Sequence, residues 1–572
     1  MIDFSPPQTK LCQMNTSTTV EEKKRGYKFL LFVIVAAFLY LVGFNLLSDW
    51  LNEAYNVNPA MCNIANLLVP VATTIFSGVY LLLFRRGGLR TLLGIGLLIA
   101  PFALFAVVQP VFGGDAQVVR WDFRFSKSNE SKVDDTGEPL SERIDLATTT
   151  PYDFPRFLGS DNNGTVSGVT LDRWEGDLKP LWKQPIGKGW SGFAAVNGYA
   201  VTQEQLGAIE CVTCYLAETG EQIWRYSVTR RHEDTMAMGK PGPRATPTIH
   251  EGRVYAMSGT GVLDCLDGAD GNPIWSVDIP PLVGISQKTS TNSVGLEYTE
   301  EDSDLAWGRS TSPLIYKDIV IVPAGGLPKK HPNYDQDKSS TMIAFDKLTG
   351  DEFWRGGNRM IAYGSPSVRT VLGRDQILLS AEDHAVGHDP ETGEELWAFK
   401  RPGGSNAGAN CSQVTWLASD TLLFTKGYSL GGESVRIAID DAAQKWAATS
   451  IRKDPRVLKT KMTSPVIYQD HLYALSDGYL ECVRIEGLKR KWKRRKRFGN
   501  GQLLLVGDKL LIQSEFGTLH LVQANPDKFE ELDSFKSING ICWNTLCLHH
   551  DLLLVRSDLE AACYRLPLLQ AN

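Results

Sequence analysis

Eleven-residue segments that end in tryptophan recur along the last three-quarters of this 572-residue chain, and no other feature limits its fold so strongly. Cys214–Trp224 (CYLAETGEQIW), Cys265–Trp275 (CLDGADGNPIW), Ala344–Trp354 (AFDKLTGDEFW) and Gly387–Trp397 (GHDPETGEELW) superimpose without a gap. Each opens on a small residue, carries Gly six positions later and closes on Trp four positions after that. Degenerate copies follow at Ala438–Trp446 and Cys482–Trp492, and a copy from Leu521 lacks the Trp. Trp182 ends an eighth copy whose first half is missing there and appears instead at the far end of the chain, as Ala561–Pro567.

The pattern describes a β-hairpin. Asp and the D/E-x-T-G turn reverse the chain, Gly takes the positive-φ position, and Trp opens the returning strand. Upstream of each hairpin lies another strand pair, such as Thr246–Gly259 and Ser464–Asp477, in which apolar alternation flanks a polar turn. Four strands per unit, with most tryptophans 42 to 51 residues apart, define a propeller blade. The longer interval between Trp275 and Trp354 holds polar insertions around Gln287–Asp304 and Gly326–Ser340. Eight copies predict an all-β, eight-bladed β-propeller over 152–567. The split copy lets the last strand pair with the first, which closes the ring and removes both free edges.

The N-terminal part is different. Phe29–Leu47, Leu67–Phe84 and Thr91–Phe112 are apolar runs of membrane-spanning length, which predicts three transmembrane helices in a membrane domain over 29–112. A cleaved signal peptide fits the first run poorly, because the run is too long and no small-x-small site follows it. Lys23, Lys24, Arg25 and Lys28 precede the first run, and Arg85, Arg86 and Arg90 lie between the second and third. By the positive-inside rule residues 1–28 and that turn are cytoplasmic, so the propeller lies outside the plasma membrane, in the periplasm of a bacterium. The polar stretch 113–151 reads as a flexible tether, and 568–572 is a short tail. A net charge of −6 argues against a nucleic-acid binder.

These AxDxxTGxxxW repeats resemble the PQQ-like (pyrroloquinoline-quinone) propellers, a family that includes quinoprotein alcohol and glucose dehydrogenases and the outer-membrane assembly factor BamB. FPRFLGSDNNGTVSG (Phe154–Gly168), GWSGFAAVNGYAVTQEQ (Gly189–Gln205), GPRATPT (Gly242–Thr248) and ACYRL (Ala562–Leu566) look like the membrane-anchored bacterial members with PQQ-binding-like repeats. The likeness covers about Tyr152–Pro567. It is specific for the fold and not for function, since enzymes and non-enzymes share it.

Cys214, Cys265, Cys482 and Cys563 share the small position of the repeat, which predicts buried packing residues. Cys211 and Cys214 spell C-x-x-C, but on a strand they face opposite sides, which argues against a disulfide or shared metal. The adjacent-cysteine disulfide of quinoprotein alcohol dehydrogenases has no counterpart here. Lys489–Arg497 concentrates eight cations on an outer strand; edge protection and attraction to anionic headgroups both account for them. The acidic stretch Glu297–Asp304 lacks the spacing of a calcium loop and reads as a solvated insertion, and no metal-ligand set is expected.

The register just before each innermost strand holds Trp190, Arg244, Arg309, Tyr363, Asn410, Lys461, Gln502 and Asn544. Innermost strands begin beside the central channel, so these side chains are expected to converge on one mouth, joined by Gln203, Glu204 and Gln205. Such a funnel suits a planar anionic small molecule, and PQQ, with three carboxylates, answers that description, with Ca2+ beside it. The alternative is that these groups satisfy strand ends and channel waters. Two functions follow: a membrane-anchored binding or assembly scaffold with protein partners in the cell envelope, or a PQQ-dependent dehydrogenase that passes electrons from alcohols or sugars to membrane quinone. No catalytic residue can be assigned. Glu204, Glu382, Asp383, Asp477, Glu515 and Asp558 lie near second-strand ends, and nothing singles one out as the base that alcohol oxidation needs.

Overall fold

The computed structural model describes residues 59–84, 88–125, 143–234, 239–292, 295–303, 305–401, 409–440 and 445–569, with isolated helical positions at 28, 31 and 33–37. The chain divides into two compact units, Met1–Val111 with Ala116–Phe125, and Phe112–Asp115 with Ser126–Asn572.

In the first unit, α1 (Pro59–Phe84) and α2 (Gly88–Val107) are long and apolar enough to cross a membrane. They approach closely at glycine: a Cβ on Gly78 would lie 2.9 Å from the carbonyl oxygen of Gly94, the small-residue contact that lets helices pack in lipid. Thr73 and Thr74 donate to Val69 and Pro70 carbonyls at 2.7 and 2.8 Å, so their hydroxyls are satisfied within the helix. Most of the first apolar run, Phe29–Leu47, falls outside the described residues. The third run differs from expectation: α2 stops at Val107, and Val108–Phe112 is a strand paired with Val118–Phe123. Residues 126–142 of the expected tether lie outside the described residues, and its two ends are held by contacts. Arg124 Nε caps the Phe105 carbonyl at 2.7 Å. At the far end Leu146 is 2% exposed in a propeller core cluster.

The second unit is an eight-bladed propeller. Seven blades run through consecutive strands, from 194–229 to 502–536; the eighth pairs 547–565 with Trp182–Pro185. Cys563 there faces Trp182 as Cys214 faces Trp224, Cys265 faces Trp275 and Ala344 faces Trp354. The small position is small because indole lies over it; a Cβ on Gly387 would sit 2.3 Å from Trp397. Several of these Trp side chains also reach the next blade. Trp182, Trp224, Trp275 and Trp354 donate Nε1–H to the carbonyls of Ala217, Gly268, Lys347 and Pro390 at 2.9, 2.9, 3.3 and 3.1 Å. The turn glycine of that next blade covers the ring, so that a Cβ on Gly271 would lie 2.5 Å from Trp224. Trp397 instead bonds Gln376 of its own blade at 2.7 Å.

Two further contacts hold the ring. Backbone N–H groups of Gly192, Thr246, Ser312 and Gln413 donate to the hydroxyls of Thr246, Ser312, Ser365 and Ser464 in the following blade, at 3.0–3.2 Å. The segment Phe154–Val166 runs across the blades: Phe154 bridges Ala195, the Asp161 and Asn162 carbonyls accept from Arg369 at 3.0 Å, and Thr165–Val166 lies parallel to Gln502–Val506. The insertion at Gln287–Thr291 and Glu297–Glu301 forms a two-stranded hairpin of exposed and half-buried residues.

Candidate functional site

The register ahead of the innermost strands is buried, and its side chains turn into the ring's own backbone. Gln203 Nε2 donates to the Ala245 carbonyl at 2.7 Å. Asn410 Nδ2 reaches Ala381 and Glu382 carbonyls at 2.8 and 2.6 Å, Gln502 Nε2 reaches Met462 and Trp543 at 2.8 and 2.9 Å, and Asn544 Nδ2 reaches Ser191 at 2.8 Å. Gln205 Nε2 donates to Arg230 O at 2.9 Å. Glu204 accepts Gly187 N–H at 2.8 Å and Tyr215 O–H at 2.6 Å. Apart from the Tyr215 bond, each of these answers a backbone carbonyl or amide that would otherwise be left unpaired.

The two arginines behave alike. Arg244 holds the carbonyls of Trp307, Gly239 and Lys240, the last two at 3.0 and 2.9 Å. Arg309, 1% exposed, bonds the Ala324 carbonyl at 2.7 Å and pairs through two nitrogens with Glu301 of the insertion hairpin at 3.1 and 3.3 Å. Sequence reasoning missed a third, Arg556, which donates to the Ser191 and Gln203 carbonyls, to Gly187 O and to Thr202 Oγ1. Burial pushes its guanidinium down to about 10, against the pull of Glu204. The aromatics pack at a tilt against partners from elsewhere in the ring: Trp190 against Trp543 with centroids 4.5 Å apart, and Tyr363 against Trp307 at 5.3 Å.

Lys461 is different. Its ammonium, 3% exposed, bonds one carboxylate oxygen of Asp115 and lies 3.3 Å from Asp477, whose other oxygen takes Lys459 at 2.6 Å. Arg497 and Asn500 hold the second oxygen of Asp115, the latter at 3.1 Å. Beside them the backbone N–H groups of Gly114 and Asn500 and the indole of Trp543 donate to Glu515 at 2.6, 2.8 and 2.8 Å. Burial would raise the Asp115 carboxyl, yet Lys461 and Arg497 hold it below the usual carboxylate range. Burial raises Glu515 and wins over its three donors. Asp477 and Glu515 stand among the carboxylates at second-strand ends. Asp115, inside the supposed tether, had no periodic signal to reveal it.

The planar tricarboxylate expected at this mouth meets donors that are already bound to carbonyls or to Asp115, so in this arrangement they do not fit it. Among the described residues no cluster of three or more His, Cys, Asp or Glu is arranged to hold a metal ion. Cys211 and Cys214 are free and buried in different surroundings, Cys211 Sγ lying 3.5 Å from Ser227 Oγ. Burial pushes Cys211 up to about 12. In the basic run, Arg490 pairs with Glu481 at 2.8 Å and Arg494 with Glu531 at 2.7 Å, while Lys489, Lys491, Arg495 and Lys496 are exposed.

Eight blades, all but one ending in a Trp hairpin, define a β-propeller of the PQQ-repeat class. The chain belongs to the family described as outer membrane protein assembly factor BamB (PQQ_2), whose model matches residues 163–354 and 333–526 and so spans more than half of it. No curated protein matches it in sequence. Similar solved structures include BamB from Moraxella catarrhalis, at 13% identity and TM-score 0.44 over 68% of this chain and 100% of that one. A europium-containing methanol dehydrogenase is 11% identical, with TM-score 0.49 over 71% and 90%. A quinohemoprotein alcohol dehydrogenase from Comamonas testosteroni is 12% identical, with TM-score 0.47 over 74% and 82%.

Proposed function

We propose that this protein is a membrane-anchored propeller, facing the outside of the plasma membrane, that serves as a binding or assembly scaffold in the cell envelope. What carries this reading is the use of the hub side chains: they tie blade to blade, which makes the ring a rigid platform and leaves recognition to its loop-lined faces. Membership in the BamB family supports it. The two apolar helices and the cations that flank them support the anchor and its orientation, with the N-terminus cytoplasmic. The dehydrogenase reading would need the hub donors to leave their carbonyls and receive PQQ with calcium.

A membrane-impermeant crosslinker applied to intact cells tests both location and role. It should reach the propeller's exposed lysines and capture envelope proteins with it. The protein recovered in detergent should reduce no dye when given PQQ, calcium and alcohols or aldoses. A clean monomer in the crosslinked sample, or saturable PQQ-dependent dye reduction, overturns the proposal.

A further inference from the structure

Phe112–Asp115 belongs to the propeller unit, and its last two residues occupy a site built for them. Asp115 is 2% exposed, with Lys461 on one carboxylate oxygen and Arg497 and Asn500 on the other. Gly114 presents its N–H to Glu515 at 2.6 Å and passes so close to Asn500 that a Cβ there would lie 2.7 Å from Nδ2. The site therefore reads a peptide in two ways, as an amide N–H and as a carboxylate one residue later. Tyr428 and Tyr479 flank it, with the Lys461 ammonium 5.3 Å from one ring and the Arg497 guanidinium 5.4 Å from the other.

Charge gives the second argument. Lys459, Lys461 and Arg497 converge on Asp115 and Asp477. Without Asp115, the buried Lys461 would keep only a longer contact to Asp477, which it shares with Lys459, and the half-buried Arg497 would lose the carboxylate it pairs with. Excess charge buried in this way demands a counterion. Arg497 lies 382 positions beyond Asp115 in the chain, and nothing in the blade repeat requires a partner from there.

We propose that Lys461, Arg497, Asn500 and Glu515 form a receptor for an acidic peptide segment, which Gly114–Asp115 fills in cis. The receptor takes a backbone N–H followed by an aspartate-type carboxylate, and a partner's acidic segment binds when Gly114–Asp115 withdraws. This deepens the scaffold reading and rests on it for the existence of a partner, while the site itself rests on the geometry above.

The test uses the full chain in detergent, with Asp115→Ala to empty the site. Two probes serve: acetate, which supplies the carboxylate alone, and acetyl-Gly-Gly-Asp-Ala-amide, which copies residues 113–116. Asp115→Ala should lose several degrees in its unfolding midpoint and regain them saturably with either probe. The wild-type chain, whose own segment competes at an effective concentration of about millimolar, should bind the peptide at least about tenfold more weakly. Lys461→Met added to Asp115→Ala should abolish the response. If Asp115→Ala does not fold alone, folding that depends on acetate supports the site. No saturable response from the emptied protein, an equal response from wild type, a response that survives Lys461→Met, or variants that acetate cannot rescue overturns it. Failure here leaves the envelope crosslinks untouched, so the two proposals fail separately.

Discussion

A side chain's burial decides its chemistry more than its place in a motif does. His232 is 7% exposed, and its Nε2 has no hydrogen-bond partner. Burial, helped by Arg244 and Arg231, pushes its imidazole down from 6.5 to about 3. Below pH 6.5 the unfolded chain takes up a proton that the folded imidazole refuses until about pH 3, so stability falls as pH drops through that window. The slope contributed is at most about 1.4 kcal/mol per pH unit. His232→Gln should flatten the pH dependence of chemical denaturation between those limits; an unchanged slope would show that the imidazole is already charged in the fold. Position along the chain put Lys461 and Arg244 in one register of the repeat. It did not reveal that Lys461 meets the Asp115 carboxylate, 346 positions away, or that Arg244 bonds the Trp307 carbonyl, 63 positions away, together with the nearby carbonyls of Gly239 and Lys240.

At the scale of the element, the Trp-ended hairpin is completed by contacts with a neighbouring blade. The recurring bulge after the small residue, seen at Cys214, Cys265, Ala344 and Gly387, sits where the indole must clear the strand. Turn glycines therefore serve twice, through positive φ and through the absent Cβ. Gly271 has φ 75° and Trp224 above it, whereas Gly198 has φ 84° and nothing within 4 Å. Both alanine variants incur the backbone cost of about 1–2 kcal/mol. Gly271→Ala should cost clearly more than Gly198→Ala in denaturant unfolding, and equal costs would mean that the Trp contact contributes nothing. The hairpin and its turn were legible in the sequence because the repeat fixes strand phase. The contact with the next blade was not, because it depends on how adjacent sheets stagger.

For the whole molecule, closure is the decisive event. Trp182–Pro185 pairs with Glu560–Arg565, the Leu181 N–H donates to Cys563 O at 2.8 Å, and the Asp172 N–H donates to Pro567 O at 2.9 Å. In hydrogen exchange the two strands should lose protection together, and Trp182→Ala should deprotect both while central blades such as 314–356 stay protected longer. Independent exchange of the two strands would mean that they do not share one closure event. The sequence by itself determined the blade count, the split eighth blade and the apolar helices, since all three are written in periodicity and composition, which local physics reads directly. Only the tertiary structure decided where the hub's polar groups point. It also decided that Gly114–Asp115 fills a charged site, because the stability of a buried charge depends on every group that surrounds it, whatever their distance in sequence.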